Sequence, residues 1–333
     1  MGKESKVKGQ KIKKPITVTE FLGRWGTTIG MLVVLLALGI HAPRFFAPNN
    51  LLDVLKQGSI LTLIAIAQAV VLIPGGFDMS AGALSQLTAN VAAGLIIAGL
   101  GTWSTIGVGL VLGLIIGLIN ASLVIVARIP AFVATLGTMF VLQGATLMYN
   151  KGQALTINDQ KGFTFLGQGY IGPIPFIVIL VILVILVLHL FMKNTKTGLR
   201  MYAVGENLTA AKLRGISSKK ALIIGFALAG LIVGFTGVAQ ASYSYGATAV
   251  TTGMDFLISA LAAAFLGSTL SKTGELSIVG AGLAGMFISA LSNVLIINGV
   301  SNNVLPGILG AVLVLSIIPT VIRKREIGQV TIF

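Results

Sequence analysis

Pro173-Ile-Pro-Phe-Ile-Val-Ile-Leu-Val-Ile-Leu-Val-Ile-Leu-Val-Leu-His189-Leu-Phe-Met192 is an apolar run, free of Asp, Glu, Lys and Arg, long enough to cross the hydrocarbon core of a bilayer. Comparable runs lie at about 25–41, 51–74, 80–99, 103–127, 131–149, 221–243, 254–270, 276–297 and 303–322, which makes about ten candidate spans. Lipid offers no partner to a backbone N–H or C=O, so such runs must be helices. The expected fold is therefore an all-α, polytopic membrane protein. Composition agrees: only 10% of the 333 residues are charged, against roughly a quarter in soluble domains.

The net charge of +14 raises the question of nucleic acid, but most Lys and Arg lie outside the apolar runs, where they meet phospholipid headgroups. A nucleic-acid partner is not expected. Residues 1–24 form a lysine-rich lead, read as a cytoplasmic segment before an uncleaved first span that starts at Trp25. Alternating the spans from there gives one transmembrane domain over 25–322, a cytoplasmic loop at 193–220 and a cytoplasmic tail at 323–333. Lys193, Lys196, Arg200, Lys212, Arg214, Lys219, Lys220, Arg323, Lys324 and Arg325 then all fall inside, with only Arg44, Lys56, Lys151 and Lys161 outside. Five spans per half would invert the second half relative to the first. A 5+5 inverted repeat is one reading, and its best echo is Gly117-Leu-Ile-Asn120 against Ala290-Leu-Ser-Asn293.

Glycine is frequent, at 42 residues, and three small-residue ladders stand out: Gly109, Gly113 and Gly117; Gly230 and Gly234; Ala281 and Gly285. In lipid, helices associate where small side chains let backbones approach, so these ladders are candidate helix crossings. Cysteine is absent, which excludes disulfides and thiolate metal sites. His41 and His189 lie at ends of apolar runs with no second ligand at metal spacing, so no metal site is expected.

Pro74-Gly75-Gly76-Phe77-Asp78-Met79-Ser80-Ala81-Gly82-Ala83 interrupts two apolar runs with helix breakers and a carboxylate. Two readings stay open. Either a discontinuous helix lines a pathway, or a cytoplasmic turn ends in a cap, with Asp78 accepting the free amides of a helix that starts near Ser80. Gln68, Asn90, Asn120, Asn293 and Asn298 are amides within or at the ends of apolar spans, and Glu275 reads as an early-turn helix charge. Each amide must pair across helices or face a wet cavity, because an unpaired one in hydrocarbon costs several kcal/mol. With Thr135 and Thr138 they offer uncharged hydrogen-bonding groups suited to a neutral polyol in passage.

In the 193–220 loop, Asn207 is placed to cap a short helix over about 208–214, with Gly215 as its stop. Leu208, Ala211 and Leu213 supply apolar contact. The helix is read either as a docking knob for a soluble partner or as an interfacial segment.

Taken together, Asn50-Leu51, Gly75-Gly-Phe-Asp-Met-Ser-Ala-Gly82, Pro130-Ala-Phe132-Val-Ala-Thr135-Leu-Gly-Thr138 and Ala203-Val-Gly205-Glu206-Asn207, with Ala210, Ala211 and Gly215, resemble the ribose-type permease subunits of bacterial ATP-binding-cassette importers. That superfamily is shared with branched-chain amino-acid permeases, and the resemblance spans about 46–320. It implies a ten-helix, type II importer-like permease in the bacterial cytoplasmic membrane. It also implies a second permease, two cytoplasmic ATPases holding ATP and Mg, an external solute-binding protein and no cofactor in this chain. On this pattern Gln68, Asp78, Ser80, Asn90, Asn120, Phe132, Thr135, Thr138 and Asn293 are candidate pathway residues. Gly205, Glu206, Asn207, Ala210, Ala211, Arg214 and Gly215 form the candidate ATPase-coupling loop. Where the family carries Leu-Gly-Gly, this chain reads Phe265-Leu-Gly-Ser-Thr-Leu-Ser-Lys-Thr-Gly274, which leaves a heterodimer open beside a homodimer. The expected cargo is a monosaccharide, with autoinducer-2, a nucleoside or a branched-chain amino acid as alternatives. A transporter working without an ATPase would need intramembrane carboxylates, and beyond Asp78 the spans hold almost none.

Overall fold

The computed structural model describes residues 18–158, 161–247, 253–271 and 274–326. Most of the basic lead, most of the C-terminal tail, and Lys272 and Thr273 thus lie outside the described residues. Among those described there are thirteen α-helices: α1 (Val18–His41), α2 (Pro48–Leu72), α3 (Ala81–Ile97), α4 (Thr102–Ile125), α5 (Ala131–Asn150), α6 (Lys161–Gln168), α7 (Phe176–Asn194), α8 (Lys196–Glu206), α9 (Leu208–Leu213), α10 (Ser218–Tyr243), α11 (Gly253–Thr269), α12 (Ile278–Ile297) and α13 (Leu305–Glu326). Every apolar run of the sequence falls on one of them. Helices α2, α4, α5, α7, α10 and α12 are long and apolar enough to cross a membrane, and four shorter apolar helices cover the other runs. Helix α1 starts at Val18, before its apolar run begins.

Two short antiparallel pairs join the connections. Leu155–Thr156 (β1) pairs with Gly246–Ala247 (β4), and Tyr170–Ile171 (β2) pairs with Ile174–Pro175 (β3). Segments that read as loops also contain helix. In α8, the Thr195 hydroxyl accepts the Gly198 N–H at 3.0 Å and starts the helix.

Helix α2 is the centre of the bundle and buried along most of its length, whereas little of α7 is buried and it turns Ile182, Leu183, Leu186 and Val187 outward. Helix α2 packs on α12 and α11, while α10 packs on α4 and α3; likewise α3 packs on α5 as α11 packs on α13. If α1–α5 form one set and α7 with α10–α13 the other, these pairings exchange between sets, as an inverted repeat requires. Asn120 and Asn293 sit near the C-terminal ends of the corresponding helices α4 and α12.

The glycine ladders explain the closest crossing. A Cβ on Gly113 would collide with the Gly230 carbonyl, and one on Gly117 with the Phe226 carbonyl. Conversely, a Cβ on Gly230 would meet the Gly113 carbonyl and one on Gly234 the Gly109 carbonyl. Helices α4 and α10 therefore run antiparallel with their backbones in contact, a separation only glycine permits. The third ladder packs α12 against two neighbours: a Cβ on Gly285 would lie 2.9 Å from Thr62 Cα, and Gly267 of α11 is packed against Gly280 and Ala281.

Candidate functional site

Past Leu72 the chain turns at Gly75, whose φ of 85° suits glycine, and folds back along α2. Gln68 Nε2 donates to the Asp78 carbonyl at 2.8 Å, so Asp78 sits about a turn below the end of α2. Helix α3 therefore begins beside the body of α2, which accounts for its short 17 residues. Most of the stretch 73–80 is buried, including Asp78 and Ser80. It is a buried backbone break rather than a solvated turn.

The Asp78 side chain acts differently from the cap expected of it. Its Oδ1 accepts the N–H of Ser80 at 2.8 Å and the Ser80 hydroxyl at 2.6 Å. Ser80 is itself the residue preceding α3, and its side chain caps no amide of that helix. Asn120 Nδ2 donates to Ser80 Oγ at 2.8 Å, bringing in α4. Thr135 Oγ1 accepts the Met79 N–H at 3.0 Å and donates to the Ala131 carbonyl at 2.7 Å, bringing in α5. The Phe132 ring, half exposed, lies 6.0 Å from the Phe77 ring at the edge of this group. Gln68, Asp78, Ser80, Asn120 and Thr135 thus form one buried seam between four helices. Within it Gln68 Oε1 and Asn120 Oδ1 are buried acceptors without a hydrogen-bond partner among the described residues. Each such atom costs about 1–3 kcal/mol.

The other candidates go elsewhere. Asn90 accepts from Asn150 Nδ2 at 3.0 Å, joining α3 to α5. Asn293 and Asn50 exchange amide hydrogen bonds at 2.9 and 3.1 Å, joining α12 to α2. Asn298 donates to the Leu38 carbonyl at 3.2 Å. Thr138 bonds back to the Ala134 carbonyl of its own helix at 3.1 Å. Sequence reasoning overlooked Asn150, Gln240, which accepts from Ser85 at 3.2 Å, and the buried Lys56, which donates to Gln168 at 2.9 Å beneath the Tyr170 ring. Gln240 carries the signal that marks Asn90, a polar side chain inside an apolar run, whereas Asn150 is the last residue of α5 and Lys56 reads in the sequence as an outer charge.

Within 195–217, the stretch from Asn207 to Gly215 is built as its residues suggest, while α8 before it falls on residues that read as loop. Asn207 accepts the Ala210 N–H at 2.9 Å and caps α9. Gly215, at φ 71°, ends it, with Ile216 N–H on the Ala211 carbonyl and Gly215 N–H on the Lys212 carbonyl. Ala211 is buried. Leu208 and Leu213, in contrast to the contact expected of them, are exposed, Leu213 at 86%. Asn207→Ala should remove about 1 kcal/mol from this six-residue helix, read as faster amide exchange over 208–214 with the rest of the chain unchanged.

This segment is packed onto the backbone break. A Cβ on Gly205 would collide with the Ile73 carbonyl, and the following helix α10 closes on the same break, where a Cβ on Gly225 would lie 3.1 Å from Pro74. Tyr202 of α8 donates to the Leu276 carbonyl at 3.1 Å. Burial, and secondarily the negative Glu275, push its hydroxyl up to about 12, so it remains a donor. Glu275 is not in the first turn of α12, as its sequence position suggested. It precedes the cap residue Ser277 and acts on Tyr202 instead.

A multi-pass helical bundle with an almost uncharged polar seam and a capped surface helix has the build of a membrane permease. Residues 50–317 match the family described as branched-chain amino acid transport system / permease component, and the chain belongs to that family. Among its relatives, the ribose import permease protein RbsC of Bacillus subtilis (strain 168) is 32% identical over 87% of this chain and 90% of its own length. The RbsC of Escherichia coli (strain K12) is 30% identical over 82% and 86%. The D-allose transport system permease protein AlsC of the same strain is 28% identical over 88% and 90%. No solved structure matches the chain.

Proposed function

We propose that this chain is the membrane subunit of an ATP-binding-cassette importer that passes a small neutral solute, in the first place a monosaccharide, across the bacterial cytoplasmic membrane. The observation that carries the reading is the 195–217 segment. Its short, doubly capped helix α9 presents Leu208 and Leu213 outward while Gly205 abuts the break at Ile73, which suits a knob that takes a push from a soluble partner and passes it inward. The chain has no Gly-x-x-x-x-Gly-Lys-Ser/Thr stretch, so ATP and Mg belong to that partner.

Residues Gly205, Glu206, Asn207, Ala210, Ala211, Arg214 and Gly215 form the coupling surface in this reading. The seam of Gln68, Asp78, Ser80, Asn120 and Thr135, with Phe132 beside it, borders the pathway, and Asn90, Thr138 and Asn293 complete its polar groups. Alternating access follows from rocking of packed helices around such a seam. A second permease copy or a paralogue closes the pathway, and an external solute-binding protein delivers cargo. Both termini face the cytoplasm, because Lys193, Lys196, Arg200, Lys212, Arg214, Lys219 and Lys220 share the side of the coupling surface. The monosaccharide cargo is supported by relatives named for ribose and D-allose and by a seam of amides and hydroxyls.

The complex purified with its binding protein identifies the cargo. A monosaccharide in that protein is the expected result, and an amino acid, nucleoside or autoinducer-2 would replace it as the substrate.

A further inference from the structure

We propose that Asp78 is a proton-binding site, resident as the neutral carboxylic acid at neutral pH, whose single O–H donates to one of the two unpartnered amide oxygens, that of Gln68 or that of Asn120. Donors and acceptors do not balance in this seam. Asp78, Ser80, Gln68 and Asn120 are all buried, at 4%, 0%, 1% and 1% exposure. The Gln68 amide nitrogen is spent on the Asp78 carbonyl at 2.8 Å, and the Asn120 amide nitrogen on Ser80 Oγ at 2.8 Å. The Ser80 hydroxyl and amide are spent on Asp78 Oδ1. What remains is Gln68 Oε1 and Asn120 Oδ1, two acceptors with no donor, each on an amide anchored to Asp78 or to the serine that bonds it.

An ionised carboxylate is an acceptor only, so it would add to this excess; the neutral acid brings one donor and serves either carbonyl. Charge points the same way. Helices α3 and α4 carry no titratable residue, α2 carries Asp53 and Lys56 toward its opposite end, and α5 carries Tyr149 near its C-terminal end. The hydrogen-bond donors to the Asp78 carboxyl are the Ser80 hydroxyl and amide, both on Oδ1. Arg128 in the turn before α5, Lys196, Arg200, Tyr202 and Glu206 of α8, and Lys219, Lys220 and Tyr243 of α10 are the titratable groups on the other elements around the break, and among the described residues none is hydrogen-bonded to Asp78. An unpaired buried charge is far costlier than a protonated acid. A bound monovalent cation is the competing way to satisfy the acceptors. It would have to draw on Asp78, Gln68, Asn120 and Ser80 Oγ, and the Ser80 oxygen already accepts from Asn120.

The test is infrared spectroscopy of the full chain in lipid vesicles at neutral pH. The expected spectrum holds one protonated-carboxyl C=O band that shifts when aspartate is ¹³C-labelled, that is insensitive to sodium or potassium, and that is missing in Asp78→Asn. Asparagine keeps a neutral donor at the site, so this variant should fold like its parent. Should it fail to fold, the labelled wild-type chain still decides the matter through the band itself. Absence of any labelled protonated-carboxyl band at neutral pH, or a band that vanishes on adding sodium or potassium, would overturn the proposal, the latter in favour of a cation site.

Discussion

Gly113→Leu is expected to lose folded protein, with a cost of about 3 kcal/mol or more, because the new side chain meets the carbonyl of Gly230 and no rotamer change can move a backbone. Gly107→Leu, two turns away on the same helix, has open space around its Cβ and should behave like the parent. The readout is the fraction of each variant that stays monodisperse in detergent after heating. Equal survival of the two would mean that α4 and α10 do not cross at these glycines.

The second large effect is functional. Gly205→Trp also meets a backbone carbonyl and should lower the yield of folded protein; in the folded fraction partner ATPase activity should stand while uptake falls roughly tenfold or more, within the range of coupling energies between linked sites. The physical reason is the contact of Gly205 with the Ile73 carbonyl: a side chain there separates the proposed coupling surface from the backbone break that leads to Asp78. Ala211→Trp, at a buried position of α9, should act in the same direction. Paired measurement of hydrolysis and uptake checks both. Coupled transport in either variant would take this segment out of the drive.

The two effects also show what the chain discloses of itself. Helix positions were legible because bilayer length is a local property: 131–149 became α5 at Ala131–Asn150, and 51–74 became α2 at Pro48–Leu72. The Asn207 cap and Gly215 stop were legible for the same reason, since capping chemistry spans only a few residues. Which ladder meets which was not. Gly113 and Gly230 are far apart in the chain, and nothing in either helix names the other. The same applies to the amide pairs: Asn120 was visible as a polar residue in an apolar run, but its partner Ser80 was set by how the break at Gly75 folds back. Helix α8 was hidden because its cap, Thr195, opens a charged segment without apolar periodicity. The role of Glu275 beside Tyr202 depends on α8 and so was hidden with it.

The central claim is that this bundle moves solute only when driven from outside itself. Uptake of the labelled solute recovered from the binding protein into proteoliposomes, holding the chain alone or the chain with its ATPase, binding protein and ATP, tests it most directly. Accumulation in the complete system and none with the chain alone is the predicted result. Concentration of that solute by the isolated chain would contradict the account.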